Sequence, residues 1–127
     1  MDKYVIAIPS YLREKEIQYK TLNLLKSYKI DREKIFIFAA NKSQQKIYED
    51  SIPNEYYNKI IIGKQGITKQ RIFISNYFPK GQYIVSLDDD IQKVFELHGE
   101  TLHPLKDLDK FIKIAFNKAL ESKLFMW

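Results

Sequence analysis

The stretch Tyr83-Ile84-Val85-Ser86-Leu87-Asp88-Asp89-Asp90 joins a short apolar run to three consecutive carboxylates. β-Branched and aromatic residues in such a run are typical of a buried strand. Three unpaired charges cannot stay in an apolar core, because burying an uncompensated carboxylate costs too much free energy. The stretch therefore predicts a central strand whose carboxyl end opens into a crevice.

In that crevice a partner would have to neutralise the acids. A divalent cation carried with a phosphorylated ligand suits them, because hard cations prefer oxygen ligands. The alternative is a solvated acidic turn after a strand. For an isolated run of three Asp, the solvated turn is the more common outcome. The rest of the chain has to decide between the two.

The composition predicts one folded domain over residues 1–127. The chain is 45% hydrophobic and 29% charged, which is ordinary for a globular protein. It has no Cys, which excludes disulfides and thiolate metal sites and fits a cytoplasmic location. The formal net charge is +5, but bases and acids are interspersed as on a solvated surface. No signal peptide is visible and no apolar run could span a bilayer.

Before the acidic stretch, apolar runs alternate with segments of helical spacing. Strands are predicted over residues 4–8, 34–40 and 59–62, and helices over residues 14–28, 43–50 and 67–78. Ser43 is the predicted N-cap of the second helix. The resulting β-α-β-α-β-α-β order predicts an α/β protein with a mostly parallel sheet and helices on both faces, in three layers.

After the acidic stretch, residues 92–97 alternate as a short strand and residues 105–125 follow helical spacing. Asp107 and Asp109 suit the first turn of this helix. His98 and His103 are predicted to lie in loops, since nothing around them has metal-ligand spacing. The predicted apolar face of the helix consists of Leu108, Phe111, Ile112, Ala115, Ala119 and Leu120.

Polar residues or glycines follow all four predicted strands of the parallel sheet. They are Ser10-Tyr11, Asn41, the residues from Gly63 to Gly66, and the three Asp residues. Open α/β sheets bind ligands beyond the carboxyl ends of their strands. The coincidence therefore favours a ligand site over a solvated turn.

Four segments, quoted in chain order, resemble the GT-A fold of nucleotide-sugar-dependent glycosyltransferases, particularly the family-two-like group. They are Ile8-Pro9-Ser10-Tyr11-Leu12-Arg13, the leucine-bearing residues 22–28, Gly66-Ile67-Thr68-Lys69-Gln70-Arg71, and residues 80–90 with their DxD-like acids. Together they cover about residues 4 to 91. The Gly-Ile-x-x-Gln-Arg variant resembles glycosyltransferase-like proteins of viruses and of DNA-base hypermodification systems.

The resemblance implies a metal-dependent glycosyltransferase that uses a nucleoside-diphosphate-sugar, most often a UDP-sugar. It places Mn²⁺ or Mg²⁺ on Asp90, with Asp88 on the ribose or reaching the metal through water. Asp89 is expected to face the sugar or to support its loop, with a solvated side chain as the alternative. The other implied nucleotide-sugar contacts are Pro9, Ser10, Tyr11, Arg13, Gly66, Lys69 and Arg71, with Asn41 standing where the family usually has a base-binding acid.

Several alternatives stay open at this stage. Tyr11 could simply cover the end of the sheet, and Arg13 or Arg71 could be an exposed charge at a helix start. Complete GT-A enzymes are about twice this length, so the resemblance implies a truncated donor-binding half or a minimal one that assembles as a homo-oligomer. Neither the catalytic base nor the acceptor (a glycan, a protein or a modified DNA base) is identified.

Two other functions compete with glycosyl transfer. A non-catalytic nucleotide-sugar-binding module would keep the donor site without turnover. A two-metal nucleotidyl-transfer enzyme would use the same acids, but it would usually need a Gly-rich phosphate loop after the first strand, which Pro9-Ser10-Tyr11 does not supply.

Overall fold

A four-stranded parallel sheet forms the centre of the protein. The computed structural model describes residues 4–98, 101–118 and 124–126. The strands are β1 (Tyr4–Pro9), β2 (Ile35–Ala39), β3 (Lys59–Ile62) and β4 (Tyr83–Ser86), in the order β3-β2-β1-β4. The predicted α/β class with a parallel sheet is confirmed.

The register places the ends of β1 and β4 side by side. Tyr4 pairs with Tyr83 and Ala7 pairs with Ser86. The Leu87 amide then donates to the Ala7 carbonyl over 3.0 Å, which carries the pairing one residue further. Because both strands run in the same direction, the residues after Pro9 and the three Asp residues emerge at the same edge of the sheet.

The first helical segment contains a π-helical turn. Helix α1 (Glu14–Ile17) continues through the π-helical residues Gln18–Leu22 into α2 (Asn23–Ser27). The helix predicted over residues 14–28 is therefore confirmed, but its middle turn is wider by one residue than an α-helical turn. The turn brings both Thr21 and Leu22 into the core, each 0% exposed.

Two longer helices follow β2 and β3. They are α3 (Lys42–Ser51) and α4 (Ile67–Tyr77). The prediction that Ser43 caps α3 is wrong. Asn41 is the cap, since its backbone is extended and its side-chain oxygen accepts a hydrogen bond from the Gln44 amide over 2.9 Å.

The strand side chains alternate between two apolar layers. Ile6 and Ile8 belong to a cluster that includes residues of α1, α2, α3 and the last helix, such as Ile17 and Leu25. Ala7 and Phe38 point to the opposite face, where they pack with Ile74 of α4. This alternation follows the period of two along a strand and puts helices on both faces of the sheet.

A small antiparallel sheet follows the parallel one. It consists of β5 (Val94–His98), β6 (Thr101–Pro104) and β7 (Leu124–Met126), in the order β6-β5-β7. The strand predicted over residues 92–97 is confirmed as β5. His98 and His103 lie in paired strands, so their assignment to loops is wrong.

The helix predicted over residues 105–125 is confirmed for Leu108–Lys118, and the prediction is wrong for Leu124–Met126. Helix α5 covers Leu108–Lys118, and the segment Leu124–Met126 pairs with β5 as a strand. The helix starts late because the Leu105 amide still bonds to the Val94 carbonyl, and the Asp107 carboxylate then caps the Lys110 amide. Ala119 and Leu120, predicted on the apolar face, lie outside the described residues.

Helix α5 packs on the same side of the sheet as α1 and α2. Leu108 and Ile112 are buried in the cluster that holds Ile6. The Tyr4 hydroxyl donates to the Asp109 carboxylate over 2.6 Å, which adds a polar contact between β1 and α5. In the part of the chain that the structure describes, no helix is long and apolar enough to cross a membrane.

Shortening a core side chain of β1 should destabilise the fold strongly. We expect Ile6→Ala to lower the free energy of unfolding by about 2–5 kcal/mol, because Ile6 is 0% exposed and its loss leaves a cavity. The matched control is Ile72→Ala at a residue that is 57% exposed, where little change is expected. Urea denaturation followed by circular dichroism measures both, and equal losses would contradict the assigned core.

Candidate functional site

A cavity of about 380 Å³ lies at the carboxyl ends of β1, β2 and β4, beside the start of α4. It brings together residues from four separate segments of the chain, including the acids and the turn after β1. The lining residues are Pro9, Ser10, Tyr11, Arg13, Ala40, Lys64, Gly66, Ile67, Gln70, Asp88, Asp89 and Asp90.

Asp89 is the least solvent-exposed of the three Asp residues. Its side chain is 12% exposed, against 50% for Asp90. One carboxylate oxygen accepts a hydrogen bond from the Ser10 hydroxyl over 2.7 Å, and the other lies 3.6 Å from the Arg13 guanidinium. Burial raises the pKa of Asp89, while the Ser10 hydrogen bond and the charge of Arg13 oppose that rise.

Tyr48 of α3 extends this network. Its hydroxyl lies 2.6 Å from the Ser10 hydroxyl and accepts from the Arg13 amide over 3.0 Å. The single Ser10 proton goes to Asp89, so the Tyr48 hydroxyl must be the donor to Ser10. The result is one directed chain from the Arg13 amide through Tyr48 and Ser10 to the Asp89 carboxylate.

The Thr21 side chain anchors the Asp88–Ile91 loop to the first helical segment. Its hydroxyl donates to the Asp88 carbonyl over 2.6 Å and accepts from the Ile91 amide over 3.0 Å. Thr21 lies in the π-helical turn and is 0% exposed. Inserted π-turns often occur at functional sites, and this one supplies both hydrogen bonds that fix the ends of the Asp88–Ile91 loop.

Gln70 of α4 supports the other wall of the cavity. Its amide nitrogen lies 3.3 Å from the Phe38 carbonyl and 3.2 Å from the Ala39 carbonyl, at the end of β2. Its side-chain oxygen accepts from the Lys64 amide over 2.9 Å. A Cβ at Gly63 would overlap the Gln70 carboxamide, so this glycine is needed for close approach.

Two residues of the cavity loops have a left-handed backbone. Leu12 has φ of 56°, which is uncommon for a branched residue, and its amide is held by the Gln44 side chain over 2.9 Å. Gly66 has φ of 97°, a region that favours glycine. A Cβ at Gly66 would meet no atom within 4 Å, so backbone conformation rather than crowding explains this glycine.

The acids suit a cation that arrives with further ligands. No three His, Cys, Asp or Glu side chains of the described residues form a group that could hold a metal ion by themselves. Carboxylate oxygens are nevertheless the donors that Mg²⁺ and Mn²⁺ prefer. Mg²⁺ is commonly held by one or two carboxylates together with substrate phosphates, and Asp88 and Asp90, both exposed, fit that arrangement.

Three residues predicted to contact the nucleotide are not among those that line this cavity. Asn41 uses its side-chain oxygen to cap α3. Lys69 lines a separate surface cavity with Phe73. Arg71 lines a neighbouring cavity of about 580 Å³, which meets the first at Asp88. The side chains of Asn41, Lys69 and Arg71 therefore belong to the surroundings of the cavity in this structure.

The sequence predictions missed Thr21, Tyr48 and Gln70 as site residues. A signal was present, since each is a polar or hydroxyl-bearing residue on the buried side of its helix. Thr21 lies four residues from both Ile17 and Leu25, and Gln70 lies four residues before Ile74. Buried polar groups are nearly always hydrogen-bonded, so their position indicates a partner, although not which one.

A larger cavity of about 670 Å³ lies between β6 and α5, lined by residues such as His103, Lys106 and Phe111. It contains none of the three Asp residues of the acidic loop. Size alone does not identify a site, and the smaller cavity has the convergent charged and hydroxyl groups that a polar ligand needs.

Comparison of the chain with protein-family models, curated proteins and solved structures finds no match. The likeness to GT-A glycosyltransferases therefore rests on the four sequence segments.

Removing the Thr21 hydroxyl should loosen the acidic loop. We expect Thr21→Val to lower the free energy of unfolding by about 1–3 kcal/mol, because the buried Ile91 amide and the part-buried Asp88 carbonyl lose their partner. Thr21→Ser keeps the hydroxyl and should retain most of the stability. Urea denaturation measures the difference, and a Val variant as stable as the Ser variant would contradict this role.

Ionisation of Asp89 should lower the free energy of unfolding as pH rises. Its pKa in the folded state is raised above the ordinary 3.8, so the folded protein binds more protons in that interval than the unfolded chain. The stabilising contribution is fully present below 3.8 and is lost as pH rises through the raised pKa. Asp89→Asn should remove this component from the pH profile of unfolding free energy.

The control for the pH experiment is Asp50→Asn, at a side chain that is 67% exposed. The quantity to compare is the difference in unfolding free energy between each variant and the parent protein, from pH 3.5 to 7. A difference for Asp89→Asn that does not change across this range would contradict the raised pKa.

Proposed function

We propose that this protein binds a nucleoside-diphosphate-sugar, in particular a UDP-sugar, and transfers the sugar to an acceptor with the help of Mn²⁺ or Mg²⁺. One observation carries the proposal. Ser10, Tyr11 and Arg13 after β1 share a cavity of about 380 Å³ with the three Asp residues after β4. A polar crevice at the carboxyl ends of parallel strands is where α/β proteins bind nucleotides.

The cavity offers groups for each part of such a donor. Arg13 and Lys64 are cations on its wall and suit the two phosphates. Tyr11 is 44% exposed, which leaves a ring face for stacking on a base. Gly66, whose positive φ favours glycine, adds no side chain to the wall beside α4. The proposal thus assigns phosphate contacts to Arg13 and Lys64, and a base contact to Tyr11.

Transfer would break the bond between the anomeric carbon and a phosphate oxygen and form a bond to an acceptor oxygen, which loses its proton. The leaving diphosphate gains negative charge as that bond breaks. A bound divalent cation supplies Lewis acidity at this diphosphate. The residues Asp88 and Asp90 would hold the cation, and Arg13 and Lys64 would offset the remaining charge on the phosphates.

The donor-binding role and turnover can be tested separately. Isothermal titration calorimetry with UDP and UDP-sugars, with and without Mn²⁺, tests the binding site. Release of UDP from a UDP-sugar, measured with candidate glycan, protein and modified-DNA acceptors, distinguishes an enzyme from a non-catalytic binding module. Absence of metal-dependent nucleotide binding would contradict both functions and would favour a different chemistry for the acids.

Removing the Asp90 carboxylate should abolish the metal-dependent part of nucleotide binding. We expect Asp90→Ala to bind UDP equally weakly with and without Mn²⁺, because a direct oxygen ligand of the cation is gone. The matched control is Asp50→Ala, which removes an exposed carboxylate of α3 that does not line the cavity. Calorimetry is again the measurement, and Mn²⁺-dependent binding retained by Asp90→Ala would refute the assignment.

A further inference from the structure

We propose that Arg13 is a counter-ion built into the site, which a divalent cation replaces only when a diphosphate draws the guanidinium away. The inference rests on the proposed function in one respect, that the site accepts a diphosphate. It adds a mechanism of regulation: the metal and the diphosphate bind cooperatively through one arginine.

The starting point is the position of Arg13 between two acids. A single guanidinium nitrogen, Nη1, lies 3.6 Å from a carboxylate oxygen of Asp89 and 3.6 Å from one of Asp90. The same side chain lines the cavity. Asp90 is a proposed metal ligand, so Arg13 and a metal ion would compete for the same carboxylate.

The Asp89 carboxylate also attracts Arg13 and so helps to keep the guanidinium beside Asp90. The Asp89 side chain is only 12% exposed, and a carboxylate so placed needs a nearby positive charge or hydrogen-bond donors. Ser10 supplies one hydrogen bond, and Arg13 supplies the charge. A divalent ion held by Asp90 would repel the adjacent guanidinium, and because both side chains are half-exposed that repulsion is partly screened by water.

The geometry allows the guanidinium to leave without disturbing the backbone. The Arg13 amide is held by the Tyr48 hydroxyl, and the Arg13 carbonyl accepts from the Ile17 amide over 2.9 Å. Its side chain, in contrast, is 50% exposed and lies at the mouth of the cavity. Anchoring the backbone while leaving the side chain half in solvent permits a rotamer change toward a bound phosphate.

Cooperativity follows from linkage. If a diphosphate binds the guanidinium, it frees Asp89 and Asp90 and thereby raises the affinity of the site for the cation. The cation must then raise the affinity for the diphosphate by the same factor. Without a diphosphate, Arg13 keeps the acids neutralised and metal affinity stays low.

The test compares Arg13→Gln with Lys15→Gln. Both changes remove one positive charge from the same short segment, but Lys15 is exposed and, among the described residues, its side chain forms no ion pair with the three Asp residues. Calorimetry is run with Mn²⁺ alone, with inorganic pyrophosphate alone, and with Mn²⁺ in the presence of pyrophosphate. We expect Arg13→Gln to bind Mn²⁺ alone about tenfold more tightly than the parent protein, to bind pyrophosphate more weakly, and to lose most of the coupling.

A second measurement covers the case in which Arg13→Gln does not fold. In the intact protein, the Arg13 side-chain Nε–H resonance should shift when pyrophosphate and Mg²⁺ are added together, and its assignment can be made with Arg13→Lys. An unshifted resonance would overturn the proposal. Equal Mn²⁺ affinity in Arg13→Gln and Lys15→Gln would overturn it as well.

The two proposals fail in different ways. If UDP and Mn²⁺ bind together but Arg13→Gln leaves the coupling unchanged, the counter-ion role is wrong and the proposed function stands. If pyrophosphate and Mn²⁺ show coupling that depends on Arg13 while UDP and UDP-sugars do not bind, the nucleotide-sugar function is wrong and the exchange stands. If the parent protein binds neither pyrophosphate nor UDP, even when Mn²⁺ is added together with them, both are wrong.

Discussion

The site depends on one carboxylate, Asp89, that is held largely away from solvent at the end of β4. A buried acid is tolerated only when hydrogen bonds and an opposite charge compensate its lost hydration. Ser10 and Arg13 provide these from the turn after β1, and Tyr48 orients Ser10 from α3. Satisfying one carboxylate thus ties three elements of the fold together at the point where the cavity opens.

The same arrangement distinguishes the three acids by their contacts and exposure. Asp89 is occupied by contacts within the protein, so its geometry favours the loop-supporting role among those considered from sequence. Asp88 and Asp90 are exposed at the cavity, while the Asp88 backbone is fixed by Thr21. Because the loop backbone is already held in place, less free energy would be lost in ordering it when a ligand binds the exposed carboxylates.

Much of the fold was predictable from the chain. Continuous apolar runs alternating with helical spacing predicted the parallel sheet, because strands covered on both faces need apolar residues at every position. The predictions failed where local pattern and tertiary pairing disagree. The segment Leu124–Met126 has an apolar composition compatible with a helix, yet it forms a strand because β5 offers it a partner.

For the site, the sequence predicted which polar groups follow which strands, and a parallel topology places those groups at one edge of the sheet. It could not determine which of those groups converge, since a residue at a strand end can turn toward the cavity or away from it. Arg13 and Gly66 line the cavity, whereas Asn41 caps a helix and Arg71 lines the adjoining cavity. The supporting roles of Thr21, Tyr48 and Gln70 became visible in the folded structure alone. Their hydrogen-bond partners are distant in the chain, and packing brings them within reach.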